Sequence, residues 1–333
     1  MREIRQNLIT KDWVIFATDR GKRPHEFAES HQSIDLPAYK PNCPFCVGNE
    51  NDGTVETLRI ADEHGWQVRV TTNKYPALST VGERIRCTDG LHRSITGVGY
   101  HEVIIEHPLH NQTLALMELA QIQRLILAFR TRYRQIRQDN RIEAIVIFKN
   151  HGVRAGTSLE HPHSQLAGLP IVPFQFRMRI DEAIRYFDDH GSCLFCDTIA
   201  DELHTGDRII ATTEFFTAFI PYAALSPFHT WIFPLRHTSS FEDITDAEMA
   251  DFAKILKTVL AKLYLALGNP DYNFTIRSSP TGERDTEYFH WYLAIVPHVS
   301  RIAGFELGSG MYINTALPED SAKFLREYAL TSE

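Results

Sequence analysis

Residues 161–165 read HPHSQ: two histidines around one proline, followed by serine and glutamine. In an extended segment side chains alternate between faces, so His161, His163 and Gln165 point the same way. An imidazole can be a metal ligand, a general acid or base, or a nucleophile; a glutamine amide can only donate and accept hydrogen bonds. The chain also has five cysteines, Cys43, Cys46, Cys87, Cys193 and Cys196, four of them in two C-x-x-C pairs, CPFC and CLFC. An odd count gives no disulfide framework, and C-x-x-C outside a thioredoxin-like context reads as half of a metal site. Sixteen histidines can supply the other half.

The elements that must position these residues occur twice. After CPFC come WQVRVTTNKYPAL (66–78) and YHEVIIEHPLHNQTL (100–114); after CLFC come RIIATTEFFTAFIPYA (208–223) and FHTWIFPLRHTSSF (228–241). Each half then shows apolar residues at steps of three and four, which predicts a helix. Met117, Ile122, Leu125, Ile126, Phe129, Tyr133 and Ile136 form the first set; Met249, Phe252, Ile255, Leu256, Val259, Leu263 and Leu267 form the second. Thr245 with Glu248 predicts a capping box at the start of the second helix. A strand follows each helix (141–150 and 271–279), and each half ends on a histidine-bearing strand, HPHSQLAGLP or HWYLAIVP.

Spacing repeats as well: His110 to His161 spans 51 residues (161 − 110), and His237 to His290 spans 53 (290 − 237). That is the imprint of one duplicated α+β unit. It yields two ligand quartets, Cys43, Cys46, His110, His161 and Cys193, Cys196, His237, His290. Two thiolates with two imidazoles suit tetrahedral zinc in a closed structural site. His101, His107 and His229 compete for the third position, but His107 before Pro108 and His229 at a strand start suit ordinary surface roles. Cys87 is left as a free thiol.

The halves differ where chemistry would sit. Aligned on His161 and His290, His163 faces Tyr292 and Gln165 faces Ala294. With His161 on a metal, His163 is an imidazole free for catalysis. The preceding stretch FKNHGVRAGTSLE (148–160) is a glycine- and serine-containing loop able to surround phosphate oxygens, although it lacks the P-loop order. A histidine beside such a loop fits a general acid/base, or a nucleophile forming a phosphoramidate.

Composition bounds the alternatives. With 333 residues, 43% hydrophobic and 23% charged, the chain reads as an ordinary soluble protein of about two domains. A net charge of −8 opposes a nucleic-acid or polybasic membrane surface, and neither a membrane-spanning run nor a signal-type start is legible. The expectation is a cytoplasmic protein with halves at 1–178 and 179–333.

The combination C-P-x-C, N-x-Y-P-A-L, F-x-N-x-G, G-x-S and H-P-H-S-Q resembles the galactose-1-phosphate uridylyltransferase family of the histidine-triad superfamily, over nearly the whole chain. The resemblance implies an α+β fold of two histidine-triad-like halves, with antiparallel sheets flanked by helices. It implies a homodimer whose active sites are completed by the partner. It makes His163 the nucleophile that takes a nucleoside monophosphate, with Gln165 on the transferred phosphoryl. Asn150 and Ser158 would contact phosphates, Asn73 the nucleoside, and Arg20 and Arg23 the partner's phosphates. Cys43, Cys46, His110 and His161 match the family's zinc ligands.

Bacterial relatives have a lysine on the hexose phosphate where this chain has Ser300, and an H-x-H pair where it has HWY. HWYLAIVP and GFELGSGMYIN look closer to the plant ADP-glucose phosphorylase branch, whose second zinc site corresponds to Cys193, Cys196, His237 and His290. The second metal is then zinc or iron. The implied reaction moves NMP from UDP- or ADP-glucose to a hexose 1-phosphate or phosphate. Phosphorolysis of dinucleoside polyphosphates and a non-enzymatic zinc-dependent nucleotide-binding module are the alternatives. Gln165 cannot shuttle a proton, which favours transfer over hydrolysis. The 150 residues between the C-x-x-C pairs (193 − 43) oppose one shared zinc ribbon.

Overall fold

The computed structural model describes residues 2–20, 27, 36–50 and 53–330. Two short strands, β1 (Arg2–Gln6) and β2 (Trp13–Ala17), lead into β3 (Glu56–Asp62), β4 (Gly65–Thr72), the hairpin β5 (Arg86–Asp89) and β6 (His92–Ile95), and β7 (Tyr100–Ile105). Helix α1 (Leu119–Arg137), β8 (Ala144–His151) and β9 (His163–Leu169) follow. Next come α2 (Phe174–His190), α3 (Leu194–Thr205), β10 (Ile209–Thr212), β11 (Phe216–Phe219), β12 (Thr230–Pro234), α4 (Asp246–Leu267), β13 (Tyr272–Arg277) and β14 (Tyr292–Pro297). The tail is α5 (Gly304–Ser309), β15 (Tyr312–Asn314) and α6 (Pro318–Glu327), with β15 pairing parallel to β2.

Ten strands form one antiparallel sheet in the order β10-β11-β12-β14-β13-β8-β9-β7-β4-β3. Numbered within its own half, each set of five runs 1-2-3-5-4, and the sets meet where β8 pairs with β13. The duplication read from the sequence is therefore one of topology. Helices α1 and α4 cover one face, and a single apolar cluster runs from Ile126 and Phe129 of α1 to Phe252 and Leu256 of α4. Ile147 and Leu166 of the first half, with Ile276 and Leu293 of the second, are the strand residues that meet it.

The opposite face is covered differently in the two halves. In the second, α2 and α3 bring Ile180, Phe195 and Ile199 onto Phe219, Trp231 and Phe233. In the first, Phe45 and the cysteines of CPFC pack with Trp66, Val103 and Ile105.

Helix α4 has the expected capping box: the Glu248 N–H donates to Thr245 Oγ1 (3.2 Å) and the Thr245 N–H to Glu248 Oε2 (2.8 Å). α1 starts later than its apolar pattern, at Leu119, so Met117 packs into the core from the preceding turn. Residues 141–143 precede β8, because Asp139 accepts the Arg141 backbone N–H and its guanidinium, holding a turn there. The first residue of the last strand in each half is His163 or Tyr292, so His161 and His290 both lie two residues before their strands.

Candidate active site and metal clusters

The side chains of Cys43, Cys46, His110 and His161 converge, all four being buried. Cys46 Sγ stands 3.6 Å from His110 Nδ1 and 3.7 Å from His161 Nδ1, and Cys43 Sγ stands 3.7 Å from His161 Nδ1. Cys193, Cys196, His237 and His290 converge likewise, with Cys196 Sγ 3.2 Å from His237 Nδ1 and 3.5 Å from His290 Nδ1. A tetrahedral zinc with arms of about 2.3 Å to sulfur and about 2.0–2.1 Å to nitrogen has an S···N edge of about 3.6 Å. Both donor sets fit a metal ion.

The second sphere supports the fit. His161 donates Nε2–H to the His107 carbonyl (2.8 Å), and His237 donates Nε2–H to that of Thr286 (3.0 Å). Each bond leaves the Nδ1 lone pair toward the thiols. The pairs are presented differently: Cys43 and Cys46 sit in a turn closed by the Cys46 N–H to the Cys43 carbonyl, whereas Cys193 is the N-cap of α3. His107 contributes only its carbonyl, and Cys87 is an exposed free thiol. His229, expected at the surface, is 5% exposed, because its strand is covered by α2 and α3.

The first cluster touches His163 through His161 itself and through Phe45. Phe45, inside the CPFC turn, packs edge-on to both His161 (centroids 6.0 Å) and His163 (5.5 Å). His163 is 7% exposed and donates Nδ1–H to the His161 carbonyl at 2.8 Å. Nε2 therefore keeps the lone pair. Burial, with the Lys149 ammonium adding to it, lowers the His163 pKa and favours the neutral ring.

Beneath His163 lies a network that the motif reading missed. Lys149 donates to Glu106 Oε2 (2.7 Å) and to the His163 carbonyl (3.1 Å), while Ser164 Oγ donates to Glu106 Oε1 (2.5 Å). Lys149 is 2% exposed and Glu106 0%. A charge on the core side of VIIE (103–106) and of IVIFK (145–149) was the available signal, since a lone buried charge is not tolerated.

Gln165 follows on the same face. Its Oε1 lies 2.9 Å from Nε2 of His101, whose Nδ1 accepts the Ala77 N–H (3.1 Å). Because Nδ1 accepts, the neutral ring carries its proton on Nε2 and donates it to Gln165, so the amide N–H2 of Gln165 is the end left for a ligand. Asn73, just after β4, brings Nδ2 to 3.3 Å from the same His101 nitrogen, and its Oδ1 accepts the Tyr75 N–H. Residues 76–80 with Tyr100 and His101 border a cavity of about 430 Å³. His163, Gln165, His101 and Asn73 thus come together along β9, β7 and the end of β4.

Asn150, near the end of β8, accepts from Asn273 Nδ2 (2.8 Å), which fixes which end of its amide donates. Gly152 after it has φ +85°, and a side chain there would strike the Asp271 carboxylate. The loop is less open than expected: the N–H of Arg154 goes to Asp271, and those of Ala155, Gly156 and Thr157 go to carbonyls within the loop. Ser158 is exposed. Arg20 closes a helical turn (Thr18–Arg20), its side chain being outside what is described, and Arg23 lies outside the described residues.

His163 is thus a buried histidine whose Nδ1 is bonded and whose Nε2 is not, next to the first of the two metal clusters. The family model for galactose-1-phosphate uridyl transferase, N-terminal domain, matches residues 1–173, and that for the C-terminal domain matches 179–328. The chain belongs to the galactose-1-phosphate uridylyltransferase family. It is 38% identical over 335 residues to ADP-glucose phosphorylase of Arabidopsis thaliana, covering 99% of this chain and 93% of that one. It is 29% identical to galactose-1-phosphate uridylyltransferase of Thermotoga maritima, covering 98% of each. The crystal structure of the Arabidopsis ADP-glucose phosphorylase with bound ADP-glucose superposes with a TM-score of 0.84 at 36% identity, over 99% of this chain and 100% of that one. As a member of this family the protein is a nucleotidyltransferase. No helix among the described residues is long and apolar enough to cross a membrane.

Proposed function

We propose that this transferase moves a nucleoside monophosphate from an NDP-hexose through a covalent His163–NMP intermediate. Nε2 of His163 attacks the α-phosphorus, and the bond from phosphorus to the sugar 1-phosphate oxygen breaks. An oxygen of the acceptor then attacks the phosphoramidate, the N–P bond breaks and His163 regains its lone pair. The observation that carries this reading is the Nδ1–H bond from His163 to the His161 carbonyl, which leaves Nε2 as the attacking atom. In the same reading the Gln165 amide N–H2 steadies the nonbridging oxygens, Asn150 and Ser158 meet phosphates, and Asn73 meets the nucleoside.

ADP-glucose with phosphate as acceptor is the pair we favour. Support comes from the 38% identity to ADP-glucose phosphorylase, against 29% to the Thermotoga uridylyltransferase. Ser300, standing where bacterial relatives have a lysine, agrees with an acceptor smaller than a hexose phosphate. Incubation with ADP-glucose and with UDP-glucose, each followed by intact-protein mass spectrometry, tests it: an adenylylated chain is expected, a uridylylated one reverses the donor, and neither sinks the covalent route.

We assign zinc to Cys43, Cys46, His110 and His161, and zinc or iron to Cys193, Cys196, His237 and His290. Four protein ligands leave no place for water, so the ion supplies loop closure and no acid–base step. The division near residue 178, a cytoplasmic homodimer, and Arg20 and Arg23 reaching the partner's phosphates belong to the same proposal. Sedimentation and Arg20→Ala with Arg23→Ala kinetics check the last two.

A further inference from the structure

The second half repeats the geometry of the catalytic face with different side chains. Phe148 pairs with Gln165 and Thr275 with Ala294; two residues further along β8 and β13 stand Asn150 and Arg277. Val103 pairs with Gln165 and Trp231 with Ala294; two residues earlier stand His101 and His229. Arg277 thus takes the place of Asn150, and His229 that of His101. They line a cavity of about 450 Å³ together with Arg179 of α2 and Tyr292.

Among the described residues, no carboxylate pairs with Arg179 or Arg277. Arg277 stacks over Phe176 (5.6 Å) and has no ion pair or hydrogen bond among the described residues. Arg179 donates Nη1 to the Gln175 carbonyl (2.6 Å), while its Nε is buried without a partner among the described residues. Trp231 Nε1–H, which can only donate, reaches His229 Nε2 at 3.2 Å. The neutral His229 ring must then carry its proton on Nδ1, and that buried Nδ1 has no partner among the described residues. Burial, then Arg277 and Arg179, push His229 down to about 3, so the ring is neutral. The carboxyl-bearing residues on the cavity wall are Asp12 and Glu306, and neither pairs with these arginines. Glu306 instead accepts the Ala303 N–H at 2.9 Å.

The Arg179 and Arg277 guanidinium groups and an oriented N–H on one cavity wall, unpaired with the Asp12 and Glu306 carboxylates of that wall, match an oxyanion. We infer that this cavity is a second oxyanion site, holding inorganic phosphate or a phosphate monoester on Arg179, Arg277 and the Nδ1–H of His229. Its volume lies at the low end of the about 300–1,000 Å³ of small-molecule pockets, which suits a sugar phosphate better than a whole nucleotide sugar. Neither His163 nor Gln165 lines this cavity, whose wall includes Asn273, the residue that bonds Asn150, and the assignment does not depend on the covalent route proposed above.

Calorimetric titration of the full chain with inorganic phosphate, and separately with glucose 1-phosphate, tests the assignment. The native protein should show one binding event more than Arg277→Gln or Arg179→Gln. Phosphate should also move the His229 Nδ1–H resonance in the native chain and leave it in place in the variants. If inorganic phosphate suffices, the site is for the free anion; if only glucose 1-phosphate adds the event, it recognises a monoester. Without ligand, Arg277→Gln should melt no lower than the native protein, because it removes one of two like charges from an enclosed space. Equal stoichiometry in native and variant chains overturns the site. So does a variant that melts well below native with and without phosphate, since the arginine would then be structural. Nucleotidylation of His163 is read separately, so the two proposals fail independently.

Discussion

His101 fixes the orientation of Gln165: a backbone N–H at Ala77 occupies Nδ1 of the imidazole, and the opposite nitrogen donates to Gln165 Oε1 at 2.9 Å. Removing the amide should lower kcat far more than it raises KM. Loss of one preorganised donor costs on the order of 10²–10³ in rate, and Gln165→Ala is expected in that range. His101→Phe keeps the ring volume and loses the donor, so kcat should fall by less, on the order of tenfold, with KM nearly unchanged. Steady-state kinetics of the double variant decide whether the two act as one unit: it should be no slower than Gln165→Ala alone. Full additivity would separate His101 from Gln165.

His163→Ala should lose turnover and the nucleotidyl-protein while still binding nucleotide, because Asn73 and the loop after β8 are untouched. Imidazole added to His163→Gly should restore part of the rate. The native enzyme should give ping-pong kinetics and exchange label between NDP-sugar and its sugar 1-phosphate with no second acceptor present. Intersecting lines without exchange would mean direct transfer in a ternary complex.

Metal removal should reach His163 through Phe45, which packs on both His161 and His163. Cys43→Ser should lower metal content and melting temperature together, and lower kcat as well. Cys193→Ser should lower metal content and stability with a smaller effect on kcat, since Tyr292 stands where His163 would be. Elemental analysis with thermal melts reads both, and unchanged metal in Cys43→Ser would remove that quartet.

The buried pair Lys149–Glu106 should be costly to break. Lys149→Met strands the Glu106 carboxylate, and breaking such a pair costs about 3–5 kcal/mol, readable by urea unfolding. Lys149→Met with Glu106→Gln should recover much of that loss, because no net charge is then buried. Activity should stay low in the double variant, since the His163 carbonyl has lost its ammonium partner.

Sequence alone determined what local chemistry and repetition can encode. Both ligand quartets followed from cysteine spacing and the near-equal gaps between histidines, and the five-element repeat followed from apolar periodicity. The asymmetry of His163 against Tyr292 marked the half proposed to carry the nucleophile. Tertiary structure decided what depends on neighbours distant in sequence. Glu106, Lys149 and Ser164 meet under His163 only because β7, β8 and β9 are adjacent. His101 left the pool of metal candidates because β7 pairs with β9 in a register that sets it beside Gln165. His229 left the surface because α2 and α3 cover β12. Strand pairing chooses the partners of a polar side chain, and a linear pattern shows only that it needs one.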